Sequence, residues 1–218
     1  MSVWAVLVAA GRGERLGDER PKAFAALGGR VLLAHSLERL DASPWIDALV
    51  VVAPPDWEEA VIVLAEELAV GKVAASVTGG KTRAASVRAG LAEVPEAAAV
   101  VVVHDAARPL VTDEVIERVL QPLGEGFDGA VPGLPLADTV KRVRDGAVVE
   151  TLDRSELVAV QTPQAFVAPA LRAAAAGDGT DCASLVEARG GRVRVVGGDP
   201  RLLKITSRDD LALVESWL

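Results

Sequence analysis

Six short apolar runs punctuate the chain, at 3–10, 48–54, 72–77, 99–105, 129–135 and 192–198, and four segments with helical spacing, 30–40, 56–68, 82–94 and 113–123, lie between most of them. Nothing else in the sequence constrains its fold so strongly. Apolar runs without polar alternation read as strands buried on both faces, and strands that alternate with helices imply βαβ crossovers. The expected architecture is therefore α/β, a mostly parallel sheet with helices on both faces. At 218 residues with 50% hydrophobic composition, the chain can bury a core of that size as a single domain spanning 1–218. Sheets of this kind bind ligands outside the carboxyl ends of their strands, so the residues that follow each run are the candidates for function.

The first such segment is "AAGRGERLGDERPK", 9–22, with three glycines, three arginines and a lysine directly after the first apolar run. Glycine lets backbone N–H groups approach an anion that a Cβ would hold away, so the loop suggests a phosphate. Neither familiar phosphate motif is complete. The dinucleotide pattern G-x-G-x-x-G has Gly11 and Gly13 but Leu16 in third place, and a P-loop ending at Gly80, Lys81 and Thr82 would need its first glycine at Ala75. Arg12, Arg15 and Lys22 bring positive charge to this rim, and Gly79, Gly80 and Ser86 supply a tight turn after the third run. Asp105 ends the fourth run. Its hard carboxylate suits Mg²⁺ held together with substrate phosphates, or alternatively a structural ion pair with Arg108 in "DAARP".

Residues 136–154 break the α/β alternation. Two roughly alternating stretches flank Asp145-Gly146, a pair suited to a type I′ turn, so the segment reads as a hairpin inserted in the domain. An isolated two-stranded hairpin is marginal in water and needs something to lean on, such as another subunit. The formal charge of −8 argues against general binding to nucleic acid or to an anionic membrane, so any polyanion must meet a local basic site. One cysteine, Cys182, excludes an internal disulfide, and no Cys/His spacing resembles a zinc site. The first residues lack the pattern of a signal peptide and no apolar run reaches membrane-spanning length, so a cytoplasmic location is expected.

Taken in order, "AAGRGERLG…PKAF", "GGKTRAASV", "VHDAARP", "DTVKR", "DR", "QTPQAF" and "LLKIT" resemble the successive motifs of the 2-C-methyl-D-erythritol 4-phosphate cytidylyltransferases of the non-mevalonate isoprenoid pathway, across essentially the whole chain. The resemblance implies a Rossmann-like nucleotidyltransferase fold whose β-arm, here 136–154, hooks around a partner to make a homodimer. It implies that Ala9, Ala10, Gly11 and Gly13 surround CTP, that Gly80 and Ser86 read the cytosine side, and that Arg15 and Lys22 act on the triphosphate as catalytic groups. It further implies Mg²⁺ on Asp105 and a polyol phosphate held by Asp105, Arg108, Thr162 and Lys204, with Thr139 and Arg154 contributed by the partner's arm. Lys81 stands where some members carry an acidic residue, and Cys182 where an acidic residue is common.

The chemistry so implied needs little from the side chains beyond charge and position. A phosphate monoester has a second pKa of about 6, so at neutral pH it is already a dianionic nucleophile and requires no general base. That suits a chain whose only histidines are His35 and His104, the latter expected to be structural. Two other readings compete: a ribitol 5-phosphate cytidylyltransferase of similar motifs, and a non-catalytic nucleotide-binding or NAD-dependent module. The NAD reading requires a complete glycine fingerprint followed by an acidic ribose-binding residue. Neither is present.

Overall fold

The computed structural model describes residues 2–11, 13, 20–177, 179 and 181–218. Four strands form the parallel half of an eight-stranded sheet: β1 (Val3–Val8), β4 (Ala48–Ala53), β5 (Val73–Thr78) and β6 (Val100–Asp105), in the spatial order β5-β4-β1-β6. Between β1 and β4 in the sequence lie the two-residue strands β2 (Ala26–Leu27) and β3 (Arg30–Val31), which among the described residues pair only with each other. The chain therefore runs from β1 outward to β5, then crosses back to lay β6 on the other flank of β1. That reversal is the Rossmann switch point, and it opens a crevice between the carboxyl ends of β1 and β6. The register sets the two ends level, with Val8 opposite Asp105.

Helices cover both faces. Leu33, Leu37 and Leu40 of α1 (Leu32–Ala42), Val61 of α2 (Glu58–Glu67) and Ile116 of α4 (Asp113–Leu120) share one apolar layer with Ala5, Leu7, Leu49 and Val51. On the opposite face Val87 and Leu91 of α3 (Arg83–Ala92), Leu171 of α5 (Ala168–Ala174) and Leu185 of α6 (Cys182–Glu187) share a second layer with Val6, Val50, Val52, Val101 and Val103. Alternate residues of one strand thus feed opposite layers, which is why these strands read as unbroken apolar runs.

The remaining strands are partly antiparallel. β7 (Gly129–Pro135) pairs antiparallel with β10 (Val158–Val160) and β11 (Gln164–Val167) and parallel with β12 (Val193–Gly197), while β11 joins the two halves by pairing antiparallel with β6. The inserted hairpin is β8 (Lys141–Arg144) and β9 (Ala147–Thr151), which among the described residues pair only with each other. Asp145 and Gly146 between them have φ of 50° and 79°, the positive values that a type I′ turn requires. Every residue of both strands is exposed. A capping box closes the N-terminus of the last helix, α7 (Arg208–Glu215), where Ser207 accepts from the Asp210 N–H and the Asp210 carboxylate accepts from the Ser207 N–H. No helix among the described residues is long and apolar enough to cross a membrane.

Candidate active site

A cleft of about 1020 Å³ opens at the switch point. Its floor is the end of β1 and the start of the glycine loop, Val8, Ala9, Ala10, Gly11 and Gly13, and one wall is the turn Gly79 to Ser86 at the start of α3. Backbone geometry explains why glycines stand here. A Cβ on Gly79 would lie 2.1 Å from the Cβ of Ala10, so only glycine lets the turn after β5 close against the loop after β1. Gly13 has φ of +71°, and a Cβ there would lie 2.5 Å from the Cβ of Lys22. Gly13 and Lys22 thus lie side by side, and Lys22 stands in the cleft at the head of a short 3-10 turn, Lys22–Phe24, whose Phe24 and Ala23 are buried.

The turn after β5 is fixed from within. Thr82 caps α3 by accepting the Ala85 N–H at 3.1 Å, and the Ser86 hydroxyl accepts the Gly80 N–H at 3.1 Å while donating to the Thr82 carbonyl at 3.0 Å. Ser86 is buried and its proton is spent inside the turn, so its hydroxyl fixes the shape of this wall.

Asp105 stands at the centre of the charged groups. Its Oδ1 accepts from Arg83 Nε at 2.9 Å and lies 2.9 Å from Arg83 Nη2; its Oδ2 accepts from Lys204 Nζ at 2.7 Å. Burial alone would raise the carboxyl pKa, but Arg83 first and Lys204 next outweigh it and bring it to about 2. Arg83 also donates to the Cys182 thiol at 3.7 Å, and burial pushes that thiol up to about 11, so it stays protonated and neutral. Arg83 thus gives its charge to Asp105.

Behind this cluster runs a buried polar chain. The Asp105 N–H donates to Thr162 Oγ1 at 3.1 Å, Thr162 Oγ1 lies 3.2 Å from His104 Nδ1, and His104 Nε2 lies 3.0 Å from the Arg108 carbonyl. The carbonyl can only accept, which places the imidazole proton on Nε2 and makes Nδ1 the acceptor of the Thr162 hydroxyl. Burial lowers the His104 pKa to about 4, keeping the ring neutral.

Of the residues singled out by the sequence, Ala9, Ala10, Gly11, Gly13, Lys22, Gly80, Ser86, Asp105 and Lys204 line the cleft. Arg12 and Arg15 lie outside the described residues. Thr162 is buried one layer behind Asp105, and the Arg108 guanidinium donates to the Leu202 carbonyl, bracing the segment that carries Lys204. The alternative pairing of Asp105 with Arg108 is not the one formed; Arg83 and Lys204 take both carboxylate oxygens. Thr139 and Arg154 are exposed, at the base of the hairpin, where Arg154 donates to the Ala137 carbonyl. Arg83 itself escaped the reading of the sequence. Its signal was its place one residue after the capping Thr82, at the first turn of a helix that points at the cleft.

Among the described residues no group of three or more His, Cys, Asp or Glu side chains gathers to hold a metal. Asp105 offers one carboxylate, which matches how Mg²⁺ is held when phosphates and water fill the rest of its shell. Its Oδ2, held by a side chain that is 41% exposed, is the oxygen that can be given up to it. The described charged residues lining the cleft are Lys22, Lys81, Arg83 and Lys204 against Asp105 alone, on a chain whose formal charge is −8. Such a concentration of cations in an acidic protein is suited to a polyanion.

Residues 3–218 match the family model of the IspD proteins, described as 2-C-methyl-D-erythritol 4-phosphate cytidylyltransferase. A protein of that name from Nocardia farcinica is 46% identical over 220 residues, covering 100% of this chain and 94% of the relative. Among solved structures, the 4-diphosphocytidyl-2C-methyl-D-erythritol synthase of Anaerococcus prevotii superposes with a TM-score of 0.86 at 26% identity, covering 99% of this chain and 97% of its own. The Francisella tularensis 2-C-methyl-D-erythritol 4-phosphate cytidylyltransferase does so with a TM-score of 0.85 at 27% identity over 100% of both chains.

Proposed function

Because the chain belongs to the 2-C-methyl-D-erythritol 4-phosphate cytidylyltransferase family, we propose that the cleft between β1 and β6 is where it transfers the cytidylyl group of CTP to 2-C-methyl-D-erythritol 4-phosphate, yielding 4-diphosphocytidyl-2-C-methyl-D-erythritol and pyrophosphate for isoprenoid synthesis. The observation that carries this assignment of the cleft is its cationic lining on a sheet switch point, inside a chain of net charge −8.

A phosphate oxygen of the polyol attacks the α-phosphorus of CTP, and the bond from that phosphorus to the oxygen bridging it to the β-phosphate breaks. The nucleophile is already a dianion at neutral pH, so the protein has no proton to remove. Its task is to hold two polyanions together and to stabilise the charge that moves onto the departing pyrophosphate. Lys22, with Arg15 from the same loop sequence, meets that charge; the turn at Gly80 and Ser86 receives the base, and Lys204 receives the polyol phosphate. Arg108 and Thr162 serve the substrate side by bracing Lys204 and Asp105. Bound on Asp105, Mg²⁺ would neutralise phosphate charge and polarise the α-phosphorus.

In the same reading the chain works as one nucleotidyltransferase domain in the cytoplasm, and two copies exchange arms. The hairpin over 136–154 exposes Val143, Val148 and Val149 at 56%, 61% and 51%, an apolar surface that its own chain leaves uncovered. Covering it with a second copy brings the neighbouring Thr139 and Arg154 to the partner's cleft.

Pyrophosphate release tests the assignment directly. CTP with 2-C-methyl-D-erythritol 4-phosphate and Mg²⁺ is expected to give turnover that chelation abolishes, with ATP, GTP and UTP far slower. Comparable rates with a purine triphosphate would overturn the base assignment, and preference for ribitol 5-phosphate would overturn the polyol.

A further inference from the structure

Asp105 is held by two cations of different character. Arg83 donates to Oδ1 through Nε at 2.9 Å, keeps Nη2 in ion-pair contact with the same oxygen at 2.9 Å, donates to Cys182 with its third nitrogen, and is rooted at the first turn of α3 with its side chain only 22% exposed. Lys204 touches Oδ2 with a single ammonium at 2.7 Å, and its side chain is 41% exposed. The backbone beneath it is pinned: the Ile205 N–H donates to the Ala107 carbonyl at 2.8 Å, and the Leu202 carbonyl accepts from Arg108. The lysine stem can therefore swing while its root stays still, whereas Arg83 cannot leave without losing three contacts.

Charge points the same way. Arg83 alone neutralises Asp105, so Lys204 is the surplus cation of the cluster. A divalent ion at about 2.1 Å from Oδ2 would lie within a few ångströms of an ammonium on the same oxygen, and the two would repel. We propose that Lys204 and the divalent metal alternate on Asp105 Oδ2: Lys204 is the carboxylate's resident counter-ion in the ligand-free protein, and the metal that accompanies the nucleotide displaces it into the cleft. Arg83 is the fixed positioning residue that keeps Asp105 in place through the exchange. Displacement frees the Lys204 ammonium beside the site of the second substrate, so arrival of the first builds part of the site for the next. This rests on the reading of Asp105 as the metal ligand.

The test measures metal binding without turnover. Mn²⁺ is titrated into the protein, with a CTP analogue whose α,β-bridging oxygen is a methylene, and free Mn²⁺ is followed by electron paramagnetic resonance. K204M keeps the stem and removes the competing charge, so its Mn²⁺ affinity is expected to rise on the order of tenfold; K204Q provides a second, polar variant with the same expectation. D105N keeps an oxygen for Arg83 and removes the ligand charge, so its Mn²⁺ affinity is expected to fall. If D105N weakens Mn²⁺ binding while K204M and K204Q leave it unchanged or weaker, the exchange is wrong and the metal assignment stands. If D105N binds Mn²⁺ as tightly as the parent protein, both are wrong.

Discussion

His104 is fully buried, one residue before the charged centre, and is held neutral because burial lowers its pKa from 6.5 to about 4. Above pH 6.5 the folded and unfolded states are both neutral at this ring, and the link from Asp105 through Thr162 to His104 is intact. As pH falls from 6.5 to 4 the unfolded chain takes up a proton that the folded ring refuses, so stability drops across that window and no further below it. The loss is about 3 kcal/mol. Urea unfolding at several pH values should show this slope in the parent protein and a shallower one in H104N. Asp105 acts in a different window, because its depressed value of about 2 makes its contribution present above 3.8 and lost as pH falls through 2. Lys22 lines the cleft, and in the proposed reaction its charge matters most as negative charge builds on the leaving group. Lys22→Ala should lower kcat on the order of 10²-fold with a smaller change in KM. An unchanged kcat with a raised KM would mean that the lysine binds substrate and transition state alike.

The elements that position these residues are a loop and a turn that only glycine allows to meet. Gly13 must hold a positive φ of 71° and leave room for Lys22. Gly13→Ala should therefore push Lys22 out of place and lower kcat/KM on the order of 10²-fold, as misplacement by about an ångström does, while a melting curve moves little because Gly13 itself belongs to neither apolar layer. Equal loss of stability and activity would assign Gly13 to folding instead. The parallel elements were legible from the sequence because strands buried on both faces carry unbroken apolar runs. β10 and β11 were not, since they are three and four residues long, are separated by Pro163, and place Gln164 in the middle of the sheet, where it is buried and donates to Asp181. Expected helix 113–123 ends at Leu120 and continues as a 3-10 turn, because Pro122 has no N–H to extend the α-helical ladder.

At the scale of the whole molecule, the arm decides whether one chain makes a complete site. If Thr139 and Arg154 serve the partner's cleft, Lys22→Ala and Arg154→Ala proteins should each be nearly inactive, and mixing them with subunit exchange should restore activity. Half of the randomly exchanged dimers pair one of each chain, and one of their two sites has both Lys22 and Arg154 intact, so activity should return to about a quarter of the parent value. Exchange verified by mass with no recovery would mean that the arm serves its own subunit.

The sequence by itself determined the layered α/β fold, the rim at which the cleft opens, the glycines that line it and the hairpin, because each is written in local pattern: apolar period, glycine at places of close approach, and a turn pair with positive φ. The same local pattern carried the family motifs. Only the tertiary structure decided what those residues do to one another. Asp105, Arg83 and Lys204 come from the end of a strand, the first turn of a helix and a distant loop, and they meet because β6 crosses back beside β1. Arg108 stands three residues from Asp105, yet its guanidinium turns to Leu202 and leaves the carboxylate to partners 22 and 99 residues away. Charges choose partners by distance and burial in space, and neither is a property of neighbouring letters.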